Sequence, residues 1–164
     1  MPLSLPLPAR RTTVAAAVLI AGAASAVAVL PTADARESMR LVTIAVPERN
    51  TDLDLGEPGP TAGDANVFVD DVQRDGRTVG TSAGSCTIAT ITETRLVGAC
   101  AATVTLPEGA LTVQGAFDED PRVGPGDFVW AVTGGTGRFA KARGEVAGTF
   151  RPGTDTVDLE VRLR

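Results

Sequence analysis

The chain contains no histidine and no tyrosine. The first absence excludes Ser–His–Asp and Cys–His catalysis and every histidine-based metal site, and the second removes the phenolic general acid. Proton transfer has only Asp, Glu, Lys or a thiol to draw on. Cysteine is scarce: two residues, without histidine, are too few to close a structural zinc site. No metal and no cofactor is expected from this inventory. Clustered positive charge is also missing. Residues 1–35 hold two of the fifteen basic and one of the twenty acidic residues, so the remainder carries thirteen against nineteen, a net charge of −6. That balance argues against nucleic acid and anionic lipid as partners, because phosphate contacts need grouped Lys and Arg. Finally, no stretch after the N-terminal segment keeps a 3.6-residue apolar period long enough for a helix.

What is present starts with a leader. Arg10-Arg11 precedes an uncharged apolar stretch, Val14 to Leu30, and Ala33-Asp34-Ala35 follows. A basic region, an apolar region and a small-x-small site describe a secretory signal peptide over residues 1–35, cleaved before Arg36. The competing reading is an uncleaved anchor, for which about 17 apolar residues is the lower limit. The paired arginines leave the choice between the general and twin-arginine routes open. The expected product is secreted or lies on the exterior of the cell envelope, with no membrane association after cleavage. Residues 36–40 form a short tail and residues 41–164 a single domain.

That domain reads as strands separated by turn residues. Alternating or β-branched runs lie near Leu41–Glu48, Asn66–Gln73, Thr78–Ile91, Arg95–Leu106, Ala110–Phe117, Gly126–Thr133, Gly144–Arg151 and Thr156–Leu163. Asp75-Gly76, Pro107-Glu108-Gly109, Asp120-Pro121 and Pro152-Gly153 punctuate them. Eight strands with short links predict an all-β fold, an eight-stranded antiparallel up-and-down barrel, with a β-sandwich as the rival. The Pro- and Gly-rich stretch Arg49–Ala65 is the one long link, a lid or a solvated loop. Val132-Thr133-Gly134-Gly135-Thr136-Gly137 has the look of a dinucleotide-binding turn, but Glu145 to Phe150 alternates like a strand where that fold needs a helix. The glycines therefore predict a tight turn between antiparallel strands.

The two cysteines are equidistant from Glu93. A hairpin turning at Thr92-Glu93-Thr94 would set Cys86 opposite Cys100, within bridging range, and an exported protein would oxidise the pair. The acidic runs Asp52–Glu57 and Phe117–Pro121 lack calcium-loop spacing and read as solvated faces. Phe128 and Trp130 share one side of a strand, as core or as the wall of an internal space.

Three motifs occur in order: Val79-Gly80-Thr81-Ser82-Ala83-Gly84-Ser85-Cys86, then Leu106 to Gly115, then Val132 to Phe139 with Ala142-Arg143-Gly144. Together they resemble the allene oxide cyclase and dirigent superfamily, and Val69-Asp70-Asp71 resembles the second-strand segment of dirigent proteins. The resemblance spans roughly Leu41 to Leu163. It implies an eight-stranded barrel with an apolar lumen, in which a reactive hydrophobic molecule is held in one conformation for cyclisation or coupling, largely by proximity and orientation. It also leaves a homo-oligomer open, since dirigent proteins are often trimers. The departures are informative. Where plant allene oxide cyclases carry a functional Glu and a water-binding Asn, this chain has Ala45 and Pro47, and the family's lumen Tyr is absent. Glu48 and Asp70 are then the carboxylates available for catalysis. Adjacent Asp70 and Asp71 point to opposite faces of a strand, so at most one faces inward. Gln114, Trp130 and Arg143 are candidate ligand contacts, Gln114 and Arg143 having structural readings as well. The expected function is a secreted barrel that binds a small hydrophobic molecule (lipid, phenolic or polyketide-like) and steers its cyclisation or coupling without a cofactor. As an enzyme it would be an isomerase or cyclase. The alternatives are a lipocalin-like carrier, or an exported interaction domain whose barrel its own side chains fill.

Overall fold

The structure, a computed structural model, describes residues 37–164; the leader expected over residues 1–35 lies outside them. Among the described residues nine strands form one antiparallel sheet: β1 (Glu37–Ile44), β2 (Thr51–Leu53), β3 (Ala65–Arg74), β4 (Arg77–Ile91), β5 (Leu96–Leu106), β6 (Gly109–Glu119), β7 (Phe128–Gly135), β8 (Gly144–Phe150) and β9 (Thr156–Leu163). From β3 to β9 each strand pairs with the next, as short links dictate. β1 then pairs with β9 along one edge and with β3 along the other, which closes the sheet into a barrel. Closure covers both edges of β1, while the three-residue β2 pairs with β3 alone.

Nine strands make eight staves because the first is broken. β1 and β2 run in the same direction along β3, which pairs Ile44 with Asp71 and Thr51 with Val67. Between them lies a 3-10 turn, Pro47–Arg49, with proline in its first turn. Proline lacks the N–H a ladder needs, so the strand expected to run from Leu41 to Glu48 stops at Ile44 and resumes at Thr51. At its other end β1 starts at Glu37, four residues earlier than the expected Leu41.

The turns follow their chemistry. Asp75 and Gly76 both have positive φ, the two-residue hairpin turn that matches strand twist. After β7 the chain makes a 3-10 turn, Gly137–Phe139, and returns as β8 antiparallel to β7. The glycines at 134, 135 and 137 thus serve a reversal between antiparallel strands. Cys86 and Cys100 are register partners on β4 and β5 and form a disulfide with a Cα–Cα distance of 4.0 Å.

Alternation divides the side chains between two faces. The inward set packs tightly at the end of the barrel where β3 meets β4 and β5 meets β6: Leu41, Val72, Leu106, Leu111, Phe139 and Leu163 are buried there. Arg74 seals this end, donating to Glu108 at 2.6 Å. Towards the other end the inward residues shorten to Ser82, Gly84, Ala102 and Val113, and the barrel stays hollow.

Candidate functional site: a half-filled lumen

The hollow half of the barrel is a cavity of about 350 Å³, within the range of small-molecule sites. Much of its wall is aliphatic, including Ala102, Val104, Val113, Val146, Val157 and Leu159. One side is aromatic. Phe128 and Trp130, two residues apart on β7, point inward and stack with ring centroids 4.2 Å apart and an interplanar angle of 29°. Phe150 meets Phe128 edge-on at 6.0 Å. The neighbouring strands make room for these rings by carrying no side chain. A methyl group at Gly115 on β6 would overlap the Trp130 indole, and one at Gly148 on β8 would overlap the Phe128 ring. The indole N–H donates to the Ala116 carbonyl at 3.3 Å, which fixes the ring's orientation.

Polar groups in this wall are few: Thr43, Asn50, Asn66, Asp70, Ser82 and, at the rim, Thr154 and Asp155. Asp70 is the half-buried carboxyl among them. It sits mid-strand on β3 between the inward residues Phe68 and Val72, and burial pushes its carboxyl above the ordinary carboxylate pKa. The neighbouring Asn50 amide and the Arg49 guanidinium pull the other way without overcoming it. Arg49 is committed elsewhere, to Asp71 on the outer face at 2.5 Å. Asp70 Oδ1 and Asn50 Oδ1 are both buried without a hydrogen-bond partner. Two lone acceptors facing an apolar cavity are a recognition feature for a ligand donor.

A second chamber of about 360 Å³ adjoins the first, sharing Asn66 and Cys86 as wall residues. Ile88, Phe117, Leu53 and Pro60 supply its apolar surface. It lies under the long link, which is an ordered loop organised by Asp64. The buried Asp64 carboxylate accepts the backbone N–H groups of Leu55 at 2.7 Å and Thr61 at 2.6 Å. These bonds hold its pKa below the usual range. The Asp64 backbone is tied to β4 through Ile88 N–H.

The structure brings two of the expected site residues to the lumen, Asp70 and Trp130, with Cys86 beside them. It places the others elsewhere. Glu48 is exposed in the 3-10 turn after β1. Gln114 points outward from β6, its parity opposite to Leu111, Val113 and Gly115. Arg143 is exposed at the closed end, bonded to the Ala142 carbonyl. Asn50, Ser82 and the Gly148 recess were not anticipated, whereas Gly115 in a strand does signal a close approach, here that of the Trp130 ring. Asn50 enters the wall because the broken first stave turns it inward, and the glycine recesses depend on register between strands.

Comparison with known proteins places this architecture. Residues 42–162 match the family described as the allene oxide cyclase barrel like domain. The chain belongs to that family. Among solved structures, this allene oxide cyclase barrel-like chain is similar to a pyocyanin demethylase, at 26% identity and a TM-score of 0.68, over 78% of this chain and 100% of the other. It shares its fold with the Diels-Alderase AbmU from Streptomyces koyangensis at 18% identity and a TM-score of 0.64, covering 77% of this chain and 63% of that one. A pterocarpan synthase dirigent protein superposes with a TM-score of 0.58 at 15% identity, over 78% and 87% of the two chains. No curated protein shows a significant sequence match. The barrel is thus of a kind found in ring-forming and dirigent proteins.

Proposed function

We propose that the lumen binds a small, flat, largely apolar molecule and steers a ring-forming or rearrangement step on it, with Asp70 as the proton-handling group. The observation that carries this reading is the placement of one carboxyl of raised pKa, lacking a hydrogen-bond partner at Oδ1, in the wall of an apolar cavity that also presents the stacked Phe128–Trp130 pair. A flat ligand gains contact area against the rings, and its donor group finds the orphaned acceptors. Confinement supplies proximity and orientation. Asp70, protonated at a higher pH than an ordinary carboxyl, can give a proton to a developing enolate or accept one in return. No step calls on a cofactor. Similarity to a pyocyanin demethylase and to Diels-Alderases supports a polycyclic or polyketide-like substrate class over a fatty chain. In this reading the protein works outside the cytoplasm, which the Cys86–Cys100 bridge supports.

The chain has one tryptophan, Trp130, and it lines the lumen, so intrinsic fluorescence reports occupancy directly. Planar aromatic ligands such as acridine or a hydroxynaphthoquinone are expected to quench it saturably. An Asp70→Asn variant is expected to keep the quench and to lose turnover of any converted substrate by about a hundredfold or more. Turnover that survives Asp70→Asn would leave a carrier or a pure shape catalyst. Absence of quenching by every planar probe would remove the lumen as a binding site.

A further inference from the structure

The walls of the two chambers carry charge of one sign only. Asp70 and Asp155 line the lumen and Asp52, Asp54 and Asp64 line the mouth chamber, while no Lys or Arg lines either. The nearby arginines are already engaged: Arg49 with Asp71, Arg95 with Asp118, Arg122 with Asp120 and Arg151 with Asp158. Among the described residues, none of the five wall carboxylates has an ion-pair partner. The partners they do have are neutral. Asn66 donates its amide to Asp52 at 2.8 Å, the Gly59 N–H reaches Asp54 at 3.1 Å, and Asp64 takes the two backbone donors of its loop. Such dipoles orient a carboxylate but leave its net charge to act on whatever enters the cavity.

Two further observations say what kind of cation fits. Among the described residues, no three acidic or thiol side chains converge closely enough to hold a metal ion, so the charge is spread around a wall and not focused at a point. The wall also contains the Phe128–Trp130 stack, whose π-electrons attract a cation that reaches a ring face. Together with the orphaned buried oxygens of Asp70 and Asn50, these features describe a host for a large, flat, delocalised positive charge.

We infer that the site selects aromatic organic cations, such as N-alkylated heteroaromatic rings, over neutral rings of the same shape and rejects carboxylates. The inference rests on the lumen-binding reading above and narrows it. A fatty-acid or other carboxylate ligand would bring its charge among five acidic groups with no cation to meet it. Burying a charge without a partner is among the most costly events in recognition. A ring cation is drawn to the mouth by the same field and loses little hydration on entering, because its charge is already spread.

Three matched probes test this: 10-methylacridinium, acridine and acridine-9-carboxylate, titrated against the oxidised protein at pH 7.5 with Trp130 quenching as the readout. The cation is expected to bind about tenfold more tightly than neutral acridine at low ionic strength, and the anion more weakly than either. The cation's advantage should shrink as salt is raised towards 0.5 M, where screening falls within a few ångströms. In an Asp52→Asn/Asp54→Asn variant the ratio of cation to neutral affinity should fall by at least about threefold. The salt titration of the unaltered protein stands independently should that variant misfold. Equal binding of cation and neutral ring, or tighter binding of the carboxylate, overturns the inference and leaves the lumen reading intact. No binding by any of the three probes overturns both.

Discussion

Asp70 shows how one residue couples folding to chemistry. Burial raises its pKa above the model-compound value of 3.8, so over the window between those two values the folded protein retains a proton that the unfolded chain has released. Stability is therefore fully present below 3.8, falls as pH rises through that window, and stays lower above it. Asparagine has the same shape and cannot ionise, and its amide can also donate to the orphaned Asn50 Oδ1. Asp70→Asn is accordingly expected to raise the melting temperature at pH 7, with the gain vanishing below about pH 4. Scanning calorimetry across pH measures it. A variant that melts lower than the parent at pH 7 would show that Asp70 is a structural carboxylate and that its raised pKa carries no functional cost. The parity of Asp70 was ambiguous in the sequence, since Val67 and Val69 on the outer face of β3 are as apolar as Phe68 and Val72 on the inner one. Gln114 was readable: Leu111 and Val113 fix the inward phase of β6 and put residue 114 outside.

At the scale of elements, the β4–β5 hairpin was the most legible part of the chain, because strand pairing reduces to symmetry about the turn. Cys86 and Cys100 straddle Glu93, but the turn itself is centred between Glu93 and Thr94, pairing Ile91 with Leu96, and the bulge between Ile88 and Thr90 shifts the register by one so that Cys86 meets Cys100. The bridge closes a separation of 14 residues, which the chain-entropy account values at about 3 kcal/mol. Replacing both cysteines with alanine is expected to lower unfolding stability by roughly that amount in a urea titration, with the barrel's circular dichroism unchanged. A loss below about 0.5 kcal/mol would mean that the unfolded chain is already restricted in this hairpin. Elements set by contact between distant strands were less legible. β2 has three residues and no pattern of its own, and exists because β3 offers Ala65, Asn66 and Val67 as partners beyond the proline break. The long link became a fixed loop because a single buried carboxylate, Asp64, gathers its backbone donors, and one aspartate among several acidic residues announces nothing in a linear pattern.

For the whole molecule, the governing feature is a barrel that packs one half and leaves the other empty. Eight staves enclose a space that side chains can fill completely, as Leu41, Leu106, Leu111 and Phe139 do at the closed end. At the open end the same inward positions carry Ser82 and Ala102, which forgo burial that larger residues would provide. Ala102 lies between Gly84 on β4 and Val113 on β6, so a longer side chain there extends into the cavity and not into a neighbouring strand. Ala102→Leu adds three carbons at about 0.8 kcal/mol per buried methylene, less about 0.5–1 kcal/mol of side-chain entropy. The expected result is a protein about 1.5 kcal/mol more stable to urea that no longer shows saturable quenching of Trp130 by acridine. If instead the substitution destabilises the fold, the space is not available to side chains in solution. If it stabilises and binding persists, the ligand occupies the mouth chamber under the Asp64 loop rather than the lumen. The two readouts together decide whether the hollow half is held open for a ligand, because only a site kept for binding gives up stability that one substitution can restore.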